Sequence, residues 1–138
     1  MRRGLVAAMR CFCLPTLAIA CLGCRGAQVS LVDTGVVRLD SSAPGNVAIA
    51  WSDAYEREDG FVVTGVVRRM DTVGPPIRVT VAAEIVSASG FILETAQSDS
   101  LYVPHRRTTK TQGFQRFRVR FSEMPPEGSS VRIRVGNG

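Results

Sequence analysis

All four cysteines of this 138-residue chain lie within its first 24 residues, which confines thiol chemistry to that segment. Cys21 and Cys24 form a Cys-x-x-Cys pair, and in a redox dithiol such a pair stands at the start of a helix in a β-α-β unit. A zinc site needs further ligands, and the sequence offers only Cys11, Cys13 and His105. Neither setting is visible around the pair, so the sequence favours a targeting signal over a redox or metal site.

Two further groups have the residue types needed for catalysis or metal binding. His105, the only histidine, needs a nucleophile and an orienting group beside it, and Ser98, Asp99 and Ser100 are close only in sequence. The acidic run Asp53–Asp59 carries four carboxylates but lacks the spacing and central glycine of a calcium loop. We therefore expect no enzymatic activity, no metal and no cofactor, and we interpret the acidic run as a solvated connection.

A third group consists of arginines that alternate with apolar residues near the C-terminus. Arginine presents a planar guanidinium that suits carboxylates and phosphates. If the two segments that carry these arginines are neighbouring strands, five guanidinium groups share one surface that would bind an anion or a partner. The alternative is a solvated sheet face, because outward strand positions are polar in any case. The candidate binding residues are Arg116, Arg118, Arg120, Arg132 and Arg134.

The formal net charge of +5 is concentrated in the N-terminal segment. Three of the 17 basic residues precede Cys21, and no acidic residue precedes Asp33. A protein that binds a polyanion such as nucleic acid usually keeps a stronger and more clustered excess of positive charge. The charge therefore gives no reason to expect a nucleic-acid partner.

The N-terminal segment has the organisation of a secretory signal. Arg2 and Arg3 precede a mostly apolar stretch, and positive charge stays on the cytoplasmic side of a membrane. The uncharged run between Arg10 and Arg25 has 14 residues, which is short of the roughly 20 that a transmembrane helix needs. Such a run is typical of the apolar region of a cleaved signal peptide.

The end of this run, Leu17-Ala18-Ile19-Ala20-Cys21, resembles the lipobox of bacterial lipoproteins, and the overlapping Ala20–Cys24 stretch resembles it as well. The resemblance implies a signal peptide over 1–20, or 1–23, and a lipidated cysteine at Cys21, which the pattern favours, or at Cys24. Residues 21–30 then form the lipidated cysteine and a tether. Because no Asp follows either cysteine, the resemblance also implies an outer-membrane anchor facing the periplasm, if the host has an outer membrane.

The remainder of the chain has the period-2 alternation of β-strands separated by turn residues. Phe117, Val119 and Phe121 fall on one face of their segment, with arginines on the other. Ala88-Ser89-Gly90 predicts a hairpin turn. The predicted strands are Val29–Leu39, Val47–Trp51, Phe61–Met70, Ile77–Ser87, Phe91–Thr95, Leu101–Val103, Phe114–Glu123 and Val131–Val135.

Seven or eight short strands with regular turns predict an all-β, antiparallel β-sandwich over 31–138. The stretch Phe114–Val135 makes this domain similar to immunoglobulin-like or transthyretin-like sandwich modules of bacterial envelope proteins. Because a fold does not define a function, the resemblance implies an envelope protein without naming its partner.

Together these patterns predict a lipid-anchored cell-envelope lipoprotein whose sandwich binds an envelope protein or an anionic envelope component. The contact would involve a sheet edge, the arginines or the basic loop Pro104–Gly113. Trp51, Tyr55 and Tyr102 could stack on sugar rings, although Trp51 ends an apolar strand and is expected in the core. Three alternatives remain open: a secreted domain that binds anionic polysaccharide or metal, a hydrolase that uses His105, and a passive structural lipoprotein.

Overall fold

The computed structural model describes residues 28–71, 74–104 and 113–137, and in these ranges the protein is all-β. The predicted β-sandwich is confirmed, with eight strands arranged in two sheets. The strands are β1 (Arg38–Ser42), β2 (Val47–Arg57), β3 (Gly60–Arg69), β4 (Ile77–Val86), β5 (Ile92–Gln97), β6 (Leu101–Val103), β7 (Phe114–Phe121) and β8 (Ser130–Asn137).

The strands divide into a three-stranded and a five-stranded sheet. The three-stranded sheet has the order β2-β3-β7 and is antiparallel throughout. The five-stranded sheet has the order β1-β8-β4-β5, and β6 also pairs with β4. Its one parallel pair is β1 with β8. The predicted hairpin joins β4 to β5, where Gly90 takes a φ of 89° that a turn needs and other residues rarely adopt.

The core lies between the two sheets and is entirely apolar. Val63 and Val119 reach it from the three-stranded sheet, and Val81 and Ile133 reach it from the five-stranded sheet; all four are fully buried. Phe61 and Phe121 add an aromatic pair with ring centroids 5.7 Å apart. Apolar burial, at about 25 cal/mol per Å², therefore stabilises this cysteine-free part of the chain.

The described chain enters the sandwich at one end, which we call the entry end. Gln28 lies beside the β2–β3 turn, and Ser30 forms an antiparallel bridge with Tyr55 near the end of β2. The same end holds the β4–β5 hairpin and the connection from β7 to β8. The opposite end, which we call the far end, holds the start of β2 and the end of β3.

Two strand predictions were wrong in extent. The segment predicted as a strand over Val29–Leu39 is mostly a turn, because Thr34 hydrogen-bonds back to the Ser30 carbonyl and Gly35 has a φ of 74°. Strand β2 runs to Arg57 rather than Trp51, because β3 pairs with it along its whole length. Most of the acidic run therefore lies in a strand, and only Glu58 and Asp59 occupy the connection.

Candidate anion-binding face

The five candidate arginines do not share one surface. Arg116, Arg118 and Arg120 lie on β7 in the three-stranded sheet, whereas Arg132 and Arg134 lie on β8 in the five-stranded sheet. Since the core side chains of both strands face each other, the two sets of arginines point out of opposite sides of the sandwich. The condition that these strands are neighbours was wrong, and each set has to be considered separately.

The outer face of the three-stranded sheet combines aromatic and basic side chains in matching rows. Strand register places Trp51 beside Val66 and Val66 beside Arg116. Four residues along β2, Tyr55 lies beside Val62, which in turn lies beside Arg120. The intervening row is Asp53, Thr64 and Arg118, and Arg68 pairs with Phe114 at the far end. We call Trp51, Arg68, Arg116, Arg118 and Arg120 the basic face.

The central valines of this face are buried although they point outward. Val62 is 5% exposed and Val66 is 7% exposed. Directly opposite residues on paired strands have Cβ atoms about 5 Å apart, so each valine lies within reach of an aromatic side chain on one side and an arginine stem on the other. Strand β3, which carries the two valines, lies between β2, which carries the aromatic side chains, and β7, which carries the arginines. The aromatic and arginine residues are therefore about 10 Å apart, or two strand separations.

The arginines of the basic face form no ion pair with any residue in the described ranges. Arg68, Arg116, Arg118 and Arg120 are all exposed. On the opposite side of the sandwich, Glu84 lies 3.6 Å from Arg132 and 3.7 Å from Arg134. The basic face can therefore take an external anion, whereas the β8 arginines already have a carboxylate.

Asp53 is the one acidic residue in the rows of this face, and its oxygens are occupied. Ser30 donates to one oxygen at 2.6 Å, Tyr55 donates to the other at 2.7 Å, and the Ala54 N–H donates at 2.7 Å. Burial alone raises the pKa of Asp53 by desolvation, but these three hydrogen bonds outweigh it and lower the pKa. The hydrogen bond to Asp53 raises the pKa of Tyr55. Asp53 therefore fastens the entering chain to β2 and is no partner for Arg118.

Trp51 is the residue whose position differs most from the prediction, because it is 48% exposed rather than in the core. A β-bulge between Ile49 and Trp51 interrupts the alternation of inward and outward residues along β2. Trp51 therefore falls on the outward face, beside Val66. Trp51 instead lines an open groove of about 580 Å³ at the far end of the basic face. Arg68, Met70, Phe114 and Arg116 line the same groove.

A buried arginine, Arg69, also lines this groove. Arg69 is 7% exposed and donates hydrogen bonds to the Asp71 carboxylate and to the Pro75 carbonyl. The hydrogen bond from Arg69 lowers the pKa of Asp71, and the same bond raises the pKa of Arg69. Because Arg69 is satisfied internally, Arg68 and Arg116 supply the groove's available positive charge.

A second depression of about 490 Å³ shares Trp51 and Arg116 with the groove. It extends past Arg118 to Ser98 and Asp99 in the β5–β6 connection. The Ser98 hydroxyl is already hydrogen-bonded to Val81 and Asp99 backbone atoms. The two depressions meet at Trp51 and Arg116.

The remaining predicted residues are not part of this site. Tyr102 is exposed but pairs with Arg78 in the five-stranded sheet, away from Trp51 and Tyr55. The potential lipidation residues Cys21 and Cys24 lie outside the described residues, as does His105. The same holds for 105–112 of the predicted basic loop.

Sequence reasoning did not single out Arg68, Met70 and Phe114 as site residues. Their contribution depends on the pairing of β3 with β7, which brings Arg68 next to Phe114, and on the bond from the Met70 N–H to the Asn46 carbonyl at 2.9 Å. The available signal was the alternation Val62-Thr64-Val66-Arg68, which marks one face of β3. That signal becomes informative only when the neighbouring strand is known.

No group of three or more His, Cys, Asp or Glu in 28–71, 74–104 and 113–137 is placed to hold a metal ion. In those same ranges there is no helix of the length and apolarity that a membrane crossing requires. Comparisons with protein-family models, curated proteins and solved structures find no match.

Proposed function

We propose that this protein is a lipid-anchored cell-envelope lipoprotein whose β-sandwich binds an anionic envelope component through the basic face. The observation that carries the proposal is that four exposed arginines and an exposed tryptophan occupy one sheet face. The four arginines have no ion-pair partner among the described residues. Guanidinium groups recognise carboxylates and phosphates, and a free set on a rigid sheet is preorganised to do so.

The role is binding rather than catalysis. The basic face offers guanidinium, indole and aliphatic groups, which orient and hold a ligand. General acid–base catalysis needs a group whose pKa lies near the working pH. The one carboxylate within the rows of the face, Asp53, has a lowered pKa and is occupied by three hydrogen bonds.

The anchor is supported by the lipobox-like sequence that precedes Gln28. Gln28 lies at the entry end, so a lipid on Cys21 or Cys24 would hold the sandwich by that end. Two or three acyl chains hold a protein on a bilayer almost permanently, since each buried methylene contributes about 0.8 kcal/mol.

Lipidation is tested by growing cells with radiolabelled palmitate and comparing wild type with Cys21→Ala and Cys24→Ala. Label that disappears only in Cys21→Ala identifies the lipidated residue as Cys21, and label that disappears only in Cys24→Ala identifies it as Cys24. Wild-type protein without label, with a blot confirming expression, would remove the anchor from the proposal.

Anion binding is tested separately with the full-length protein in a mild non-ionic detergent. We expect retention on immobilised polygalacturonate or on immobilised glycerol phosphate that weakens steeply with added salt. The triple variant Arg116→Gln/Arg118→Gln/Arg120→Gln should lose at least about tenfold in affinity, because each charge-assisted bond contributes roughly 1.5 kcal/mol or more. The control Arg132→Gln/Arg134→Gln is compared with the double variant Arg116→Gln/Arg118→Gln, which removes the same number of charges, and equal losses in these two would contradict a specific face.

A further inference from the structure

The geometry points to a carboxylate-bearing glycan chain as the ligand of the groove beside Trp51. This inference rests on the proposed function for the basic face. It adds the chemical class of the ligand.

The two ends of the sandwich carry opposite charge. The connections at the entry end are rich in acidic residues, with few arginines among them. At the far end, the groove is lined by Arg68 and Arg116, and by Arg69, whose charge is neutralised by Asp71. The positive charge that an anionic ligand needs is therefore available at the far end. The entry-end acids are Asp33, Glu58, Asp59, Glu123 and Glu127.

The lining of the groove matches the two kinds of surface on an acidic sugar. The faces of a sugar ring are apolar and pack on aromatic side chains, which Trp51 and Phe114 present at 48% and 39% exposure. Met70, 52% exposed, adds a flexible apolar wall. Arg68 and Arg116 border the same space and can bind the carboxylates of successive sugars.

The shape of the site favours a polymer over a single sugar. The groove is open and joins the second depression through Trp51 and Arg116. In that second depression, Asp99 supplies a carboxylate that can accept hydrogen bonds from sugar hydroxyls, beside Arg118. A ligand with hydroxyls, carboxylates and flat apolar faces can contact the arginines, Trp51 and Asp99 together, whereas a lipid headgroup offers no flat apolar face to Trp51.

The test measures binding of full-length protein, in mild detergent, to four probes in parallel. Polygalacturonate and purified peptidoglycan are acidic glycans, dextran is a neutral glycan, and polyglutamate is an acidic polymer without sugars. We expect the two acidic glycans to bind at least about tenfold more tightly than dextran or polyglutamate. Trp51→Ala should reduce that binding about tenfold, which is typical of an aromatic anchor residue, while Trp51→Phe should largely restore it.

Two outcomes would overturn the inference, and both leave the proposed function identifiable. If polyglutamate binds as tightly as the acidic glycans and Trp51→Ala changes neither, the basic face recognises charge alone. If immobilised glycerol phosphate, the headgroup of phosphatidylglycerol, is added as a fifth probe and binds better than any glycan, the ligand is a phosphate headgroup. In either case Arg116→Gln still weakens binding, so the anion-binding function stands. A Trp51→Ala variant that unfolds is recognised by its circular dichroism, and Trp51→Leu then replaces it.

Discussion

The outer faces of the two sheets carry the same residue type and differ in what lies beside it. On the three-stranded sheet, Arg118 stands directly opposite Thr64. On the five-stranded sheet, Arg132 stands directly opposite Glu84, which also lies within 3.7 Å of Arg134. The residue on the neighbouring strand therefore decides the difference. Glu84 neutralises the β8 arginines, whereas Thr64 leaves the β7 arginines open to an external anion.

This difference shows why a row of outward arginines is not by itself a binding site. Glu84 is largely buried, but its arginine partners are 43% and 53% exposed and lie 3.6 and 3.7 Å away. Ion pairs with such exposed partners contribute little to stability, typically 0–1 kcal/mol, so Glu84 is not needed to hold β4 and β8 together. Its larger effect is on the electrostatic potential of that face, because it cancels charge at the place where a ligand would need it. The basic face differs further in having Trp51 and a groove.

The largest expected loss of stability comes from a substitution at Gly65, in the backbone of the three-stranded sheet. A Cβ added at Gly65 would lie 2.5 Å from the Trp51 carbonyl oxygen and 2.6 Å from the Phe117 ring. Because neither neighbour can move without disturbing β2 or the core, Gly65→Ala should lower the free energy of unfolding by about 2–3 kcal/mol. Gly136→Ala, in the other sheet, is the control, since its nearest atom is the Thr80 carbonyl oxygen at 4.0 Å.

Urea unfolding followed by circular dichroism measures both variants. Gly136→Ala should stay within about 0.5 kcal/mol of wild type. If the two substitutions are equally mild, the close approach of Phe117 to Gly65 does not constrain the three-stranded sheet.

The next effect concerns Asp53, which ties the entering chain to the three-stranded sheet. Asp53→Asn should lower the free energy of unfolding by about 1–2 kcal/mol at neutral pH, because it removes the charge from three hydrogen bonds. Since the folded-state pKa is lowered, this stabilisation is present above the unfolded pKa of about 3.9 and is lost as the pH falls through the folded value. The wild-type advantage over Asp53→Asn should therefore shrink below about pH 4.

Unfolding of both proteins at a series of pH values between neutral and strongly acidic gives the measurement. Glu58→Gln removes an acid from the exposed β2–β3 turn and serves as the control, with no comparable loss. An advantage that stays constant down to the lowest pH would mean that Asp53 is not ionised in its hydrogen-bonded state.

The all-β fold was predictable from the sequence because apolar and polar residues alternate along a strand, and that pattern can be read from residues close together in the chain. Phe117, Val119 and Phe121 face the core as their spacing predicts, and Ala88-Ser89-Gly90 makes the predicted hairpin. Burial of one face and solvation of the other impose a period of two residues on such strands, so the pattern is present in the sequence itself.

The candidate site was only partly predictable because it depends on which strands pair. Arg116 and Arg132 have the same alternating context in the sequence, yet they lie in different sheets. The exposure of Trp51 follows from one extra residue at a bulge, which shifts the alternation and has no distinctive composition. Pairing and bulges are set by contacts between residues far apart in sequence, and a single sequence does not display those contacts.

Removing the charge of Glu84 tests whether this residue neutralises the β8 arginines. Glu84→Gln should change the free energy of unfolding by less than about 1 kcal/mol, because the lost attraction to two arginines is offset by easier burial of a neutral side chain that is 17% exposed. Binding of polygalacturonate should increase, and the increase should disappear when Arg132→Gln/Arg134→Gln is added. Glu123→Gln changes the net charge equally in an exposed turn and should not reproduce the gain.

The smallest change in stability is expected from the reciprocal substitution, which places a carboxylate among the β7 arginines. Thr64→Glu puts an acid directly opposite Arg118, as Glu84 is opposite Arg132. A cross-strand pair of opposite charges contributes roughly 0.2–1 kcal/mol, so the fold should be unchanged or slightly more stable. Polygalacturonate binding should nevertheless fall several-fold, while Thr64→Gln, of equal size and no charge, should bind like wild type. Equal binding by Thr64→Glu and Thr64→Gln would show that a carboxylate opposite Arg118 does not neutralise this face, and the difference between the two sheets would then need another cause.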